Sequence, residues 1–150
     1  MLLAILVGCA THAREQSAHQ VLFVCEHGNV KSLMAASYFN DLASSRGLPW
    51  RAVSRGSAPD SDTVPPKIVA GLVNDGFDVH DFHPVKVSRG DVSASNRIVT
   101  IGVMLPQEVT ANAAVEQWND VPAASVDYAA ARASLQEHVR KLVDQLAASR

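Results

Sequence analysis

An α/β fold built on a four-stranded parallel sheet is what the sequence predicts, and three observations predict it. Short runs of β-forming residues alternate along the chain with stretches of helical periodicity, the pattern of strand–helix–strand units. The first run, Val21-Leu22-Phe23-Val24, is apolar throughout, as a strand covered on both faces should be. Turn-forming residues separate the segments, with Gly47 and Pro49 after the first helix and Gly56 to Thr63 before the second. At 150 residues the chain has the length of one domain with a proper core.

The elements follow in order. The first strand ends at Cys25. From Lys31 on, Met34, Tyr38 and Leu42 recur at helical spacing, with Leu33 and Phe39 beside them, until Gly47 and Pro49 stop the helix. Trp50 to Ser54 reads as the second strand. The second helix starts at the Pro65-Pro66 pair, suited to a first turn, and runs through Ile68, Val69, Leu72 and Val73 to Gly76. Ser88 to Ser95 contains a short helix, Arg97 to Val103 is the third strand and Ala113 to Trp118 the fourth. A long helix begins near Ser125 or Asp127, with Tyr128, Ala131, Leu135, Leu142 and Leu146 on its apolar face. Right-handed crossovers between these strands give a flavodoxin-like, three-layer fold, with the carboxyl end of strand 1 beside the topological switch point.

Composition removes some functions. The net charge is −2 and the pI about 6.3, with no basic run or basic–aromatic interleaving, which disfavours nucleic acid as a partner. Residues 1–20 form an N-terminal segment apart from the domain at 21–150. Its first eight residues, MLLAILVG, are wholly apolar and lead to Cys9. Leu6-Val7-Gly8-Cys9 resembles a bacterial lipobox, whose cysteine is lipidated after cleavage, so a periplasmic or membrane-anchored lipoprotein is one expectation. The run is too short to span a bilayer and lacks a basic n-region. A cytoplasmic protein with an extra apolar segment is the alternative.

The chemistry gathers at Cys25. Five residues, Glu26-His27-Gly28-Asn29-Val30, separate it from the cation of Lys31, and Ser32 follows. In a strand–loop–helix the loop's N–H groups can converge into a nest, reinforced by the positive end of the helix dipole. An oxyanion bound there sits against the Cys25 sulfur, and the same field favours thiolate over thiol. Ser32 is placed to donate a hydrogen bond to that thiolate. The nucleotide-binding pattern G-x-x-x-x-G-K-[ST] would also end in Lys31-Ser32, but Cys25 and Val30 stand where it needs glycine, which makes ATP or GTP binding unlike this loop. His80 and His83 are three apart, yet Pro84 argues for a loop and no further cluster completes a metal site. No metal or other cofactor is expected.

A strand ending in cysteine, five loop residues, a cation, Ser and then a Met-Ala helix resemble the low-molecular-weight protein tyrosine phosphatases and the related arsenate reductases, whose signature is C-x5-R-S. The resemblance extends to Ala52-Val53-Ser54-Arg55-Gly56, to Val64-Pro65-Pro66-Lys67 with Gly76-Phe77-Asp78-Val79, to Arg97-Ile98-Val99-Thr100-Ile101-Gly102, and to Trp118-Asn119-Asp120-Val121-Pro122. It covers roughly Val21 to Leu146. Three positions depart from the family. Lys31 replaces arginine, a point charge instead of a planar fork. Asn29 stands one residue further from the cysteine than the family's loop asparagine. Val103 and Met104 stand where arsenate reductases carry resolving cysteines.

The resemblance implies a cysteine-dependent phosphomonoester hydrolase acting through a phosphocysteine, with phosphotyrosine the family's usual target. Cys25 attacks, Lys31 and the amides of Glu26, His27, Gly28, Asn29 and Val30 hold the oxyanion, and Ser32 steadies the thiolate. Arg55, near the end of strand 2, could lend the loop a guanidinium. Asp120 is the expected proton donor, with Asp127 in reserve and more simply a helix N-cap. The partners implied are a phosphorylated protein or small phosphomonoester, phosphate or arsenate, and a membrane if Cys9 is lipidated. Two alternatives stay open, an arsenate reductase using an external thiol and an oxyanion-binding protein without turnover.

Overall fold

The computed structural model describes residues 18–149. Side chains alternate across a strand, and in β1 (His19–Cys25) every residue from Val21 to Cys25 is buried, whichever face it points to. Such a strand belongs in the middle of a sheet with both faces covered. It pairs in parallel with β2 (Trp50–Gly56) on one side and β3 (Arg97–Ile101) on the other, and β3 pairs in parallel with β4 (Val115–Trp118). The order β2-β1-β3-β4 puts the switch point between β1 and β3, as the flavodoxin-like expectation requires.

Two apolar clusters make the three layers. Val21, Phe23, Val99 and Ile101 pack on one face against α1 (Lys31–Ser45), α2 (Pro66–Asn74) and the long α5 (Tyr128–Ala148). Leu22, Val24 and Ile98 pack on the other with Val87 and Val92, the latter from the short α3 (Arg89–Ser93). Fully burying a side chain of this size stabilises by about 1.5–3 kcal/mol, so Phe23, Phe39, Met34 and Leu135, all without exposed surface, anchor the larger cluster. Phe23 meets Phe39 edge-on at 5.9 Å and Trp118 at 5.4 Å, which ties β1 to α1 and β4.

Element ends differ from the sequence reading in ways the backbone explains. β1 begins two residues earlier, at His19, whose N–H donates to the Pro49 carbonyl and whose ring lies 4.8 Å from that of Trp50. β3 stops at Ile101, because Gly102 takes φ +65° and turns the chain. β4 begins at Val115, after Ala111 and Asn112 have both taken left-handed conformations. The four-residue α4 (Gln107–Thr110) was not expected, being too short to show periodicity. α5 starts at Tyr128 with the Asp127 carboxylate accepting from the Ala130 N–H at 2.9 Å, the N-cap role anticipated for that residue.

The N-terminal apolar run and the Cys9 lipobox lie outside the described residues. Among the described residues no helix is long and apolar enough to cross a membrane.

Candidate active site

β1 delivers Cys25 to the carboxyl edge of the sheet, 3 % exposed. The chain then loops from Glu26 to Val30 and enters α1, whose N-cap, Val30, has no side chain able to cap it. Among the described residues, the backbone N–H groups of His27, Gly28, Asn29 and Val30 donate to no acceptor. Uncapped helix N–H groups and a loop of free amides make an electropositive concavity, which an anion satisfies.

The loop holds its shape through β2. Gly28 has φ +77°, and a Cβ there would lie 2.5 Å from the Gly56 nitrogen. A Cβ at Gly56 would in turn lie 2.7 Å from the His27 carbonyl. The loop and the end of β2 therefore touch backbone to backbone through a pair of glycines. Asn29, buried, donates from Nδ2 to the Thr63 carbonyl at 2.8 Å and ties the loop to the β2–α2 connection.

Behind the sulfur runs a buried chain of hydroxyls. Ser32 Oγ lies 3.1 Å from Cys25 Sγ, and Ser54 Oγ lies 2.8 Å from Ser32 Oγ and 3.0 Å from the Gly28 carbonyl oxygen. Ser54 has one hydrogen to give. Donated to Ser32, it leaves the Ser32 hydrogen for the sulfur, the arrangement that stabilises a thiolate. The Ser32 alternative, the Arg55 carbonyl, is longer at 3.3 Å. Sequence reasoning did not single out Ser54. Its register partner in β1 is Phe23, two residues before the cysteine, so a polar residue facing inward at that height was the available signal.

Above the sulfur opens a cleft of about 570 Å³ lined by Cys25, Glu26, His27, Asn29, Val30 and Lys31. Pro65, Pro66, Ala123 and Ala124 form an apolar part of its wall, and Glu26 and Asp60 an acidic part. The Lys31 ammonium makes no hydrogen bond or ion pair among the described residues. Its ammonium occupies the space above Gly102, where a Cβ would come within 2.8 Å of Nζ. A cation without an internal partner, beside free amides, is available to an anionic ligand.

Two residues assigned from the sequence are not brought here. The Arg55 guanidinium turns to α3, donating from Nε to Asp91 at 2.9 Å and from Nη1 to the Ser54 carbonyl at 2.9 Å. The carboxylate that holds it is itself fixed by the Ser88 capping box, so Arg55 is a structural tie and not an oxyanion ligand. Asp120 is exposed and absent from the cleft wall; its carboxylate meets His138 Nε2 on α5 at 2.8 Å. That hydrogen bond holds the Asp120 carboxyl below its usual range, the wrong direction for a proton donor at neutral pH. His138 also stacks on Trp118, at 4.6 Å and 17°, so this corner is fastened to α5 and the late loop meets the cleft with Ala123, Ala124 and Ser125 instead. His80 and His83 face Asp78 and the Asp62 carbonyl separately. Among the described residues no group of three potential ligands could hold a metal.

Comparison with known proteins settles the lineage. The family model for low molecular weight phosphotyrosine protein phosphatase matches residues 20–120. The chain belongs to this family. An arsenate reductase from Archaeoglobus fulgidus is 30% identical, with 83% of this chain and 98% of that one covered and a TM-score of 0.68. The low molecular weight phosphotyrosine phosphatase of Vibrio cholerae O395 has 20% identity over 85% of this chain and 96% of its own, with a TM-score of 0.70. A serine variant of the arginine phosphatase YwlE with its active-site serine phosphorylated shows 19% identity, covers 87% of this chain and 97% of its own, and has a TM-score of 0.75. Among curated proteins none matches significantly. Family and relatives support a cysteine-based phosphatase or reductase.

Proposed function

We propose that the protein hydrolyses phosphomonoesters through a phosphocysteine intermediate. The observation that supports this most is the run of loop amides, His27 to Val30, without an acceptor among the described residues, directly after a sulfur that faces the Ser32 hydroxyl. In this reading Cys25 attacks phosphorus in line, and the amides from His27 to Val30 hold the equatorial oxygens as charge builds on them. Lys31 adds a single point charge from the Gly102 side. Ser54 and Ser32 relay hydrogen bonds to the sulfur when it is attacking and when it leaves. The apolar wall of Pro65, Pro66 and Ala123 suits an aryl or aliphatic leaving group, which keeps phosphotyrosine or another phosphorylated side chain within reach. The test is phosphate release from 4-nitrophenyl phosphate by the wild type beside Cys25→Ser. Turnover that the serine variant lacks supports the reading, and equal turnover by both removes it.

Arsenate reduction is the second reading, favoured by the name of the 30%-identical relative. Cys25 is the one cysteine among the described residues, and Val103 and Met104 offer no thiol. The reductant would have to be a separate thiol such as glutathione. Phosphate and arsenate alike fit the loop as ligands, and a non-catalytic oxyanion binder would keep that affinity without turnover. Attachment to a membrane through lipidated Cys9 rests on Leu6-Val7-Gly8-Cys9 alone; metabolic labelling with a palmitate analogue, lost in Cys9→Ser, tests it.

A further inference from the structure

We propose that His27, its ring held by the Ala58 carbonyl beside the Asp60 carboxylate, is the acid and base that moves the proton in this cleft. The inference rests on the phosphatase reading above. It starts from a deficiency: a phosphomonoester releases an alkoxide or phenolate poorly unless the leaving oxygen is protonated, and the late loop reaches the cleft without a carboxylate. Among the described residues, the carboxylates lining the cleft are those of Glu26 and Asp60.

Asp60 stands within ion-pair distance of a histidine. His27 Nδ1 lies 3.2 Å from Asp60 Oδ1 and 3.3 Å from the Ala58 carbonyl oxygen. Nδ1 hydrogen-bonds to the Ala58 carbonyl, which can only accept, so Nδ1 carries a hydrogen in either charge state, and the proton that comes and goes is the one on Nε2. Nε2 has no hydrogen-bond partner among the described residues; Glu26 Oε2 stands off at 3.7 Å. The imidazole lines the same cleft as the Cys25 sulfur, on a loop whose backbone is locked by Gly28, Gly56 and Asn29. A carbonyl that fixes the tautomer of a histidine, a carboxylate beside the same nitrogen, and a far nitrogen without a partner among the described residues, on a ring that lines the cleft, suit a general acid–base. His27 is the catalytic residue, and Asp60, 3.2 Å from Nδ1, is the charge that faces its imidazolium.

The chemistry balances in two steps. In the first, the S–P bond forms as the P–O bond to the leaving group breaks, and the imidazolium gives its Nε2 proton to the departing oxygen. In the second, the neutral imidazole takes a proton from water and the resulting oxygen bonds to phosphorus. The S–P electron pair returns to Cys25, and inorganic phosphate leaves.

Leaving-group dependence tests this directly. 4-Nitrophenolate departs without a proton, whereas phenolate needs one. Removing a general acid costs about 10²–10⁴-fold where the proton is required. His27→Gln should therefore lose about 100-fold or more in kcat/KM on phenyl phosphate and less than about 10-fold on 4-nitrophenyl phosphate. With the latter it should also show a burst of nitrophenolate as the intermediate accumulates. The wild-type profile on phenyl phosphate should fall on its basic side as the acid is lost, and the variant should lack that limb. Glu26, Asp60, Cys25 and Lys31 are the other charged or titratable groups on that cleft, and all are retained in the variant. Asp60→Asn should reproduce part of the loss, and adding it to His27→Gln should cost nothing further, which a merely structural role would not give. An unchanged ratio between the two substrates in His27→Gln, or a change that appears in Glu26→Gln instead, overturns the proposal while leaving the phosphatase reading intact. A wild type that hydrolyses neither substrate overturns both.

Discussion

Gly28→Ala should dismantle the anion site without touching a catalytic side chain. The added Cβ would lie 2.5 Å from the Gly56 nitrogen and 2.9 Å from both the Arg55 carbonyl carbon and Gly56 Cα. Carbon contacts are comfortable at about 3.5–4.0 Å, so the overlap is about an ångström, and against backbone that cannot rotate away. The φ of +77° is itself unfavourable for alanine by about 1–2 kcal/mol. Relief requires the loop to lift from β2, which carries the Gly28 carbonyl away from Ser54 Oγ, 3.0 Å from it, and disturbs the buried hydroxyl chain. The expected loss is about 2–4 kcal/mol in urea unfolding, with the slope unchanged. Inorganic phosphate should no longer protect Cys25 from iodoacetamide. Gly76→Ala is the control: its φ is +95° but nothing lies within 4 Å of the Cβ position, so it incurs the conformational term alone and keeps phosphate protection. Wild-type stability and wild-type protection in Gly28→Ala would refute the backbone-to-backbone account of the loop.

Three other outcomes are expected. Lys31→Met should weaken phosphate protection of Cys25 about 10–100-fold, the range of a charge-assisted hydrogen bond, and unchanged protection would show that the amides alone hold the anion. Asp91→Asn should flatten the acid limb of stability. Burial opposes ionisation of Asp91, but hydrogen bonds from Ser88 and the Arg55 charge outweigh it and hold the carboxyl below its usual range. Its contribution is thus present above about pH 4 and lost as pH falls through the lowered value; urea midpoints from pH 7 to pH 3 that differ equally from wild type at every pH would contradict this. Asp120→Asn should leave kcat within about threefold and stability within ~1 kcal/mol, as for an exposed ion pair, whereas a hundredfold fall in kcat would return the acid role to Asp120.

Much of this was legible in the sequence because its signals are local. The all-apolar Val21–Val24 run announced a central strand, and the spacing of Cys25, Lys31 and Ser32 announced the loop. Asp127 as N-cap and Pro65-Pro66 as a helix start are one-turn signals, read correctly from neighbours alone. What stayed hidden depends on contacts distant in sequence. Ser54 matters because β2 pairs with β1 at that register. Gly28 and Gly56 matter only against each other. Arg55 sits near the strand end, as the sequence suggested, yet Asp91 from α3 claims it. Asp120 matches the family's late loop by resemblance, while the deciding partner, His138, lies on α5. The pairing of His27 with Asp60 is likewise written in how the β2–α2 connection folds over the loop.

The most direct test of the central claim is rapid-quench mass spectrometry of the wild type mixed with excess 4-nitrophenyl phosphate. The account predicts a phosphoryl adduct on the peptide carrying Cys25, formed with the burst of nitrophenolate and absent from Cys25→Ser. Nitrophenolate released steadily with Cys25 unmodified at every time point would contradict it, because hydrolysis would then bypass the sulfur around which the loop, Ser32 and Ser54 are arranged.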